Sequence, residues 1–318
     1  MTLVLWLLAF AAGVGIIVWG AEAFAEHLGA ASVQLGVSSF ALALLLAGAE
    51  PEELATAVVA SLRGSSGIAL GDVVGANVTI CLVALGVGAW IAPLPFRAAV
   101  MRYALLGLPL GVIGAWFAWD GTVGRGEGAI LVVLYGFYVA AIWWAERKPP
   151  ALGEVGELAE ARESAKTGGR RRVGRDLLLV LAGVAAMAGG ATLLVEAVQR
   201  ISGDEGTQTR LGLTLVGFAT GFELVVLAWS AARRGISEAV VAGVVGSYAY
   251  NMTMTLGAGA LARPLVLTEA EVLHLPLILM LASLALVVLL AARRRQLGRV
   301  EAAVLLAAYP IFVWLSVV

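Results

Sequence analysis

Five carboxylic acids stand inside or beside stretches of sequence that are otherwise apolar: Glu50, Glu52, Glu53, Asp72 and Glu223. Glu53 and Glu223 matter most. An ionised carboxylate deep in a bilayer costs at least about 2.5 kcal/mol on insertion scales, so it persists where it faces a cavity and binds something. Two carboxylates brought together would suit a hard cation; Ca2+ takes six to eight oxygens at roughly 2.3–2.6 Å, from carboxylates, carbonyls and water. Further oxygens could come from the main chain. Gly48 and Pro51 interrupt the sequence just before Glu53, and Gly217 and Gly221 do so before Glu223. Breaks of this kind free carbonyls at membrane depth, here at Ala49 and Ala219. Glu53 lies ten residues before Arg63, about 15 Å along a helix, too far for the two to pair. Other chemistry finds no support. There is no HExxH or GxSxG pattern, so no enzyme is expected. His27 and His274 are read as loop residues without a second ligand at metal spacing.

The elements that must position these acids follow from composition. Of 318 residues, 61% are hydrophobic and 14% charged, with 39 glycines besides, far outside the range of soluble domains. A net charge of −1 offers nothing to nucleic acid, and the single cysteine, Cys81, sits inside an apolar run. The chain reads as an all-α integral membrane protein, with the lipid bilayer as its surroundings. Ten stretches are long enough to cross about 30 Å of hydrocarbon: 2–25, 33–62, 68–91, 100–119, 128–145, 177–198, 211–232, 239–261, 273–292 and 302–318. The first has no basic leader or small-residue cleavage site and is read as a retained helix. The tryptophans, such as Trp90 and Trp143-Trp144, fit interfacial belts, and Glu196 reads as interfacial too.

Basic residues orient the spans. With ten crossings and both termini outside, 16 of the 21 Lys and Arg fall on the cytoplasmic side: Arg97, Arg102, eight between Arg147 and Arg175, Arg233, Arg234, and four between Arg293 and Arg299. Arg63, Arg125, Arg200, Arg210 and Arg263 remain outside. The expected location is the cell (cytoplasmic) membrane. The one long polar stretch, 146–175, is a cytoplasmic linker between two blocks of five helices, 1–145 and 176–318.

The blocks repeat. GAEPEELATAVVASLRG from Gly48 and ALGDVVGANVTI from Ala69 correspond to FATGFELVVLAWSAARRG from Phe218 and VAGVVGSYAYN from Val241. Glu53 falls against Glu223, Arg63-Gly64 against Arg234-Gly235 with one inserted residue, and Val73-Val74-Gly75 against Val244-Val245-Gly246. Five helices per block make the copies inverted, an architecture of secondary transporters whose site lies near the midplane where broken helices meet.

These motifs resemble the alpha-repeats of the calcium/cation antiporter superfamily, with patterns GTSLPEL…S…A…G and GN(V/I)(V/I)GSN. The first repeat, about 36–91, matches well; the second, about 211–261, is more divergent. The resemblance implies the sodium/calcium exchanger-like fold and a metal site around Glu53 and Glu223. It assigns main-chain oxygens to Ala49 and Ala219, and side-chain oxygens to Thr220, Ser247 and Asn251. Asn77 is the family's first-repeat amide, read as more structural than ligating. Asp72 stands at the GN position, at the start of the third helix, where the helix dipole alone accounts for an acid. Departures are several: Ala49 and Ala219 replace threonines, Ala76 a serine, Ile80 an Asn or Asp, and Tyr248 an Asn. Glu50 replaces a serine that serves sodium, and a third acid crowded beside Glu53 suits a proton-coupling group; Glu52 has the weaker claim. Lost hydroxyls weaken the case for Na+ and gained acids strengthen that for H+.

The resemblance thus implies a secondary antiporter moving Ca2+ or a related cation against H+ or Na+, with no permanently bound cofactor and a monomer sufficient for the site. By alternating access, the first and sixth helices would slide past a core of helices 2, 3, 7 and 8. The alternatives are exchange of Na+ for H+, or of other monovalent or divalent cations, on the same fold. A cation channel is disfavoured because its site would need a symmetric ring of acids.

Overall fold

The computed structural model describes residues 3–34, 50–146, 173–234 and 237–318. The first half of the expected second span and nearly all of the expected linker lie outside the described residues. The first half of the chain forms α1 (Leu3–Gln34), α2 (Pro51–Leu62), α3 (Ser66–Ile91), α4 (Ala98–Ala118) and α5 (Arg125–Glu146). The second forms α6 (Val173–Ile201), then α7, which runs from Glu205–Leu211 through a π turn at Gly212–Val216 into Gly217–Arg234. It continues with α8 (Ser237–Tyr250, a π turn at Asn251–Thr255, and Leu256–Ala262), α9 (Glu271–Arg294) and α10 (Arg299–Val317). Eight helices among the described residues are long and apolar enough to cross a membrane; α2 and α8 are not among those eight. Helices are what a membrane-spanning chain must form, because lipid offers no partner to an open backbone amide.

The surface is apolar and much of the polar chemistry is inside. Trp116, Phe137, Leu178 and Leu289 are largely exposed, whereas Glu53, Asp72, Asn77, Ser247 and Asn251 are fully buried. In water such an arrangement would be untenable; in lipid it is the expected one.

The two halves are built alike. In α3 a π turn at Ile80–Ala84 leads into Leu85–Ile91, and in α8 the turn at Asn251–Thr255 leads into Leu256–Ala262, at the same offset of 171 residues throughout. Short strands are exchanged reciprocally. β1 (Leu94–Pro95), after α3, pairs antiparallel with β4 (Gln296–Leu297), before α10, while β2 (Thr122–Val123), before α5, pairs with β3 (Leu265–Val266), after α8. Equivalent helices α1 and α6 run antiparallel: a Cβ on Gly13 would meet Gly190 O at 2.8 Å, and one on Gly20 would meet Gly183 O at 2.8 Å. Small residues at a helix contact let two backbones approach within a membrane.

Sequence expectations shift in three places. α1 extends past its expected end at 25, because the polar turn containing Glu26 and His27 stays helical; His27 Nδ1 lies 3.1 Å from Asp176 Oδ1 of α6. His274 is also helical, in α9, stacked on Trp119 with centroids 4.3 Å apart, so neither histidine is a loop residue. α7 begins at Glu205 rather than 211, since Asp204 caps it by accepting Thr207 N–H at 2.8 Å.

Candidate functional site

The close approach of α3 to α7 sets the site. A Cβ on Gly75 would fall 2.1 Å from Leu213 O, and one on Gly217 2.5 Å from Ala76 N, so only glycine allows this contact. The two helices run in the same direction here, which carries Asp72 to Thr220. Thr220 Oγ1 donates to Asp72 Oδ1 at 2.8 Å, leaving Asp72 Oδ2 buried without a partner. Asp72 lies nearly two turns inside α3, which starts at Ser66, and it is fully buried. The expectation of an acid at the start of that helix is therefore corrected.

α2 supplies three acids. Glu50 is its N-cap, with non-helical backbone (φ −111, ψ 85), and Pro51 occupies the first turn, so the expected break before Glu53 falls at Glu50–Pro51. Gly48 and Ala49 lie outside the described residues. Glu50 accepts a short hydrogen bond from Ser247 Oγ of α8, and its carboxyl is within hydrogen-bonding reach of Glu52. Glu52 and Glu53 are buried; Glu52 Oε1 and both oxygens of Glu53 take no hydrogen bond. Glu53 is surrounded by Asp72, Glu52 and Glu223, with Asn251 beside it.

From the second half comes Glu223 of α7, half-buried, with Oε2 sealed and unpartnered. It lies within electrostatic range of all three α2 glutamates. The expected break at Gly217–Gly221 is not there. Those glycines are helical packing positions, Gly217 against Ala76, and the ladder is instead interrupted at the π turn Gly212–Val216. Ala219 accordingly lies in continuous helix, not in unwound backbone. π turns commonly mark functional positions in helices, and Asn251 opens the one in α8.

The amides make a ladder across the two halves. Thr255 Oγ1 donates to Asn251 Oδ1 at 3.3 Å, Asn251 Nδ2 donates to Asn77 Oδ1 at 3.2 Å, and Asn77 Nδ2 donates to Tyr248 O at 3.4 Å. Asn77 thus links α3 to α8, and Asn251 is tied to it beside Glu53. Tyr248 is fully buried between α8 and α4, its hydroxyl near Gly111.

Five carboxylate oxygens, on Glu52, Glu53, Asp72 and Glu223, are buried without partners. Among the described residues no Lys, Arg or His pairs with these acids, while Arg63 and Arg200 are both engaged at Glu196 near the end of α6. Unsatisfied buried oxygens of this kind are costly and rare, and they are the donor set a cation would complete. Among the described residues no three acidic, His or Cys side chains converge as a ready-made metal cage. Coordinating an ion at this place requires side-chain rotation toward a common centre.

Two participants escaped the sequence reading. Glu22 of α1, exposed, lies within electrostatic range of Glu223; its signal was an acid within the first apolar span. Tyr250 of α8 is buried beside Glu50, Glu52 and Glu53, and nothing in its spacing distinguishes it from a core aromatic.

Comparison with known proteins bears on this arrangement. The family model described as sodium/calcium exchanger protein matches residues 5–144 and 176–318. CaxA of Alkalimonas amylolytica is 25% identical over 308 residues, covering 93% of this chain and 94% of that protein. The sodium/calcium exchanger MaX1 of Methanosarcina acetivorans is 25% identical over 333 residues, covering 94% and 95%. Among solved structures, the sodium-calcium exchanger NCX_Mj superposes with a TM-score of 0.61 at 22% identity, covering 98% of this chain and 99% of that one, and so shares the fold.

Proposed function

The chain belongs to the sodium/calcium exchanger protein family, and from that premise we propose that it is a secondary active antiporter exchanging Ca2+ or a related cation for H+ or Na+. The observation that carries this reading is the group of buried, unpartnered carboxylate oxygens on α2, α3 and α7, inside a bundle whose exterior is apolar. A cation bound there offsets their charge. Left empty and ionised, the same site is expensive to enclose, so passage through the occluded state requires cargo. That requirement turns binding into exchange.

In this mechanism the α3–α7 contact and the Asn77–Asn251 ladder hold the site fixed, and the α1–α6 pair slides across it to expose one side or the other. Glu53 and Glu223 are the principal ligands, with Thr220, Ser247, Asn251 and main chain at Ala49 contributing oxygens; Ala219, whose carbonyl stands in continuous helix, is left out of the set. H+ is the favoured counter-ion. Glu50, Glu52 and Asp72 add acids, whereas Ala49, Ala76 and Ala219 carry no hydroxyl for a sodium cage. The proposed topology has ten crossings, both termini outside the cell membrane and residues 146–175 in the cytoplasm. One chain suffices for transport.

A second reading, exchange of monovalent cations, is favoured by one observation: among the described residues no three acidic, His or Cys side chains form a ready-made metal cage, and a monovalent ion or a proton needs fewer charged ligands. Proteoliposomes holding the purified protein distinguish the two. Tracer Ca2+, Mn2+, Mg2+ and Na+ would each be offered against an imposed H+ or Na+ gradient. Divalent uptake driven by an H+ gradient is the expected result; no gradient-driven uptake of any cation would defeat the proposal.

A further inference from the structure

Away from the acids, a groove of about 330 Å³ opens between α3, α7 and α10, lined by Val87, Trp90, Ile91, Trp229 and Leu306. Its lining is wholly apolar. Both tryptophans are about half exposed, Trp90 at 52% and Trp229 at 46%. Each is held by an arginine. Arg299 Nε donates to Trp90 O at 3.3 Å, satisfying a carbonyl at the end of α3, and Arg233 lies over the Trp229 ring with its guanidinium carbon 4.9 Å from the centroid.

All of these groups sit at one level of the bundle: the end of α3, the end of α7 and the start of α10. It is the level to which the distribution of basic residues assigns the cytoplasm. Leu306 follows Arg299 by two turns, so the groove reaches roughly 10 Å from the arginines toward the bilayer interior. Neither arginine has an ion pair among the described residues. The nearby acid Glu301 is turned away, its Oε2 accepting Gly298 N–H at 2.9 Å, with Arg293 and Arg294 close to it. Two cations at interfacial depth, above an apolar slot flanked by indole rings, match an amphiphile with an anionic head and a hydrocarbon tail.

We propose that this groove is a binding site for an anionic phospholipid of the cytoplasmic leaflet, its acyl chain against Val87, Ile91 and Leu306 and its phosphate between Arg233 and Arg299. The arginines are already positioned by their tryptophans, so binding orders little that is not ordered. Charge complementarity selects the lipid: a zwitterionic headgroup brings a cation to a place that holds two.

The test titrates the full-length protein in neutral detergent with phosphatidylglycerol or phosphatidylcholine of identical chains, counting bound lipid by native mass spectrometry. Phosphatidylglycerol should bind at least tenfold more tightly. In R233Q/R299Q the preference should fall by about fivefold for each arginine removed. Val87→Phe, which fills the slot, should weaken both lipids alike, and glycerol 3-phosphate, a headgroup without a chain, should not compete. Equal binding of the two lipids by the unaltered protein overturns the proposal, whatever the variants do. So does a preference that survives R233Q/R299Q, binding untouched by Val87→Phe, or competition by glycerol 3-phosphate, which would mark a free-anion site.

Discussion

Glu53→Gln should make the cation-free protein more stable while removing its response to cations. Glu53 is fully buried and neither of its oxygens has a partner, and Asp72, Glu52 and Glu223 surround it. An unsatisfied buried polar group costs about 1–3 kcal/mol, more when charged. Glutamine keeps the shape, drops the charge and brings an amide donor beside Glu52 Oε1 and Asp72 Oδ2, both of which lack one. Relief of one such penalty is about 1–3 kcal/mol, which at about 2 °C per kcal/mol is a rise in Tm of roughly 2–6 °C in chelator. The native protein should instead gain on adding cation, by about 2.7 kcal/mol at one hundred times Kd. Thermal unfolding in detergent, with chelator or with millimolar Ca2+, reads both effects. The variant should melt higher than native without cation and show no shift with it. A variant that melts lower in chelator and keeps the native shift with Ca2+ would refute the reasoning.

Thr220→Val retains shape but leaves Asp72 with no hydrogen bond, so it should destabilise by about 1–3 kcal/mol by thermal unfolding and weaken cation binding. Gly190→Val would drive side-chain atoms into Gly13 O and Ile17, prising α1 from α6; uptake should fall at least tenfold while Ca2+-dependent stabilisation remains, and unchanged uptake would remove the sliding pair from the mechanism. Glu50→Ser exchanges the acid that accepts from Ser247 for the family's hydroxyl, and should lower the uptake driven by an H+ gradient relative to that driven by Na+; an unaltered ratio would clear Glu50 of proton coupling.

The sequence disclosed the membrane class, most helix positions and the pairing of Glu53 with Glu223, because each rests on local composition or a repeated motif. What it withheld depends on contacts between distant segments. The depth of Asp72 follows from where α3 begins and from Gly75 meeting Leu213, 138 positions later. Gly217 and Gly221 were legible as glycines but ambiguous in purpose, since a packing contact and a helix break ask for the same residue. The π turns at Ile80–Ala84, Gly212–Val216 and Asn251–Thr255 have no compositional mark at all. His27 looked like a loop residue because hydropathy falls there, and its partner Asp176 lies 149 residues away. The exchanged strands are two residues each, too short to show any alternation.

The central claim is that Glu53 and Glu223 bind the transported cation. Its most direct test is gradient-driven tracer uptake by proteoliposomes holding native protein, Glu53→Gln, Glu223→Gln or, as a control outside the acid cluster, Glu196→Gln. Uptake should vanish in the first two variants, each verified as folded and inserted, and persist in the third. Native rates in either Glu53→Gln or Glu223→Gln would contradict the account.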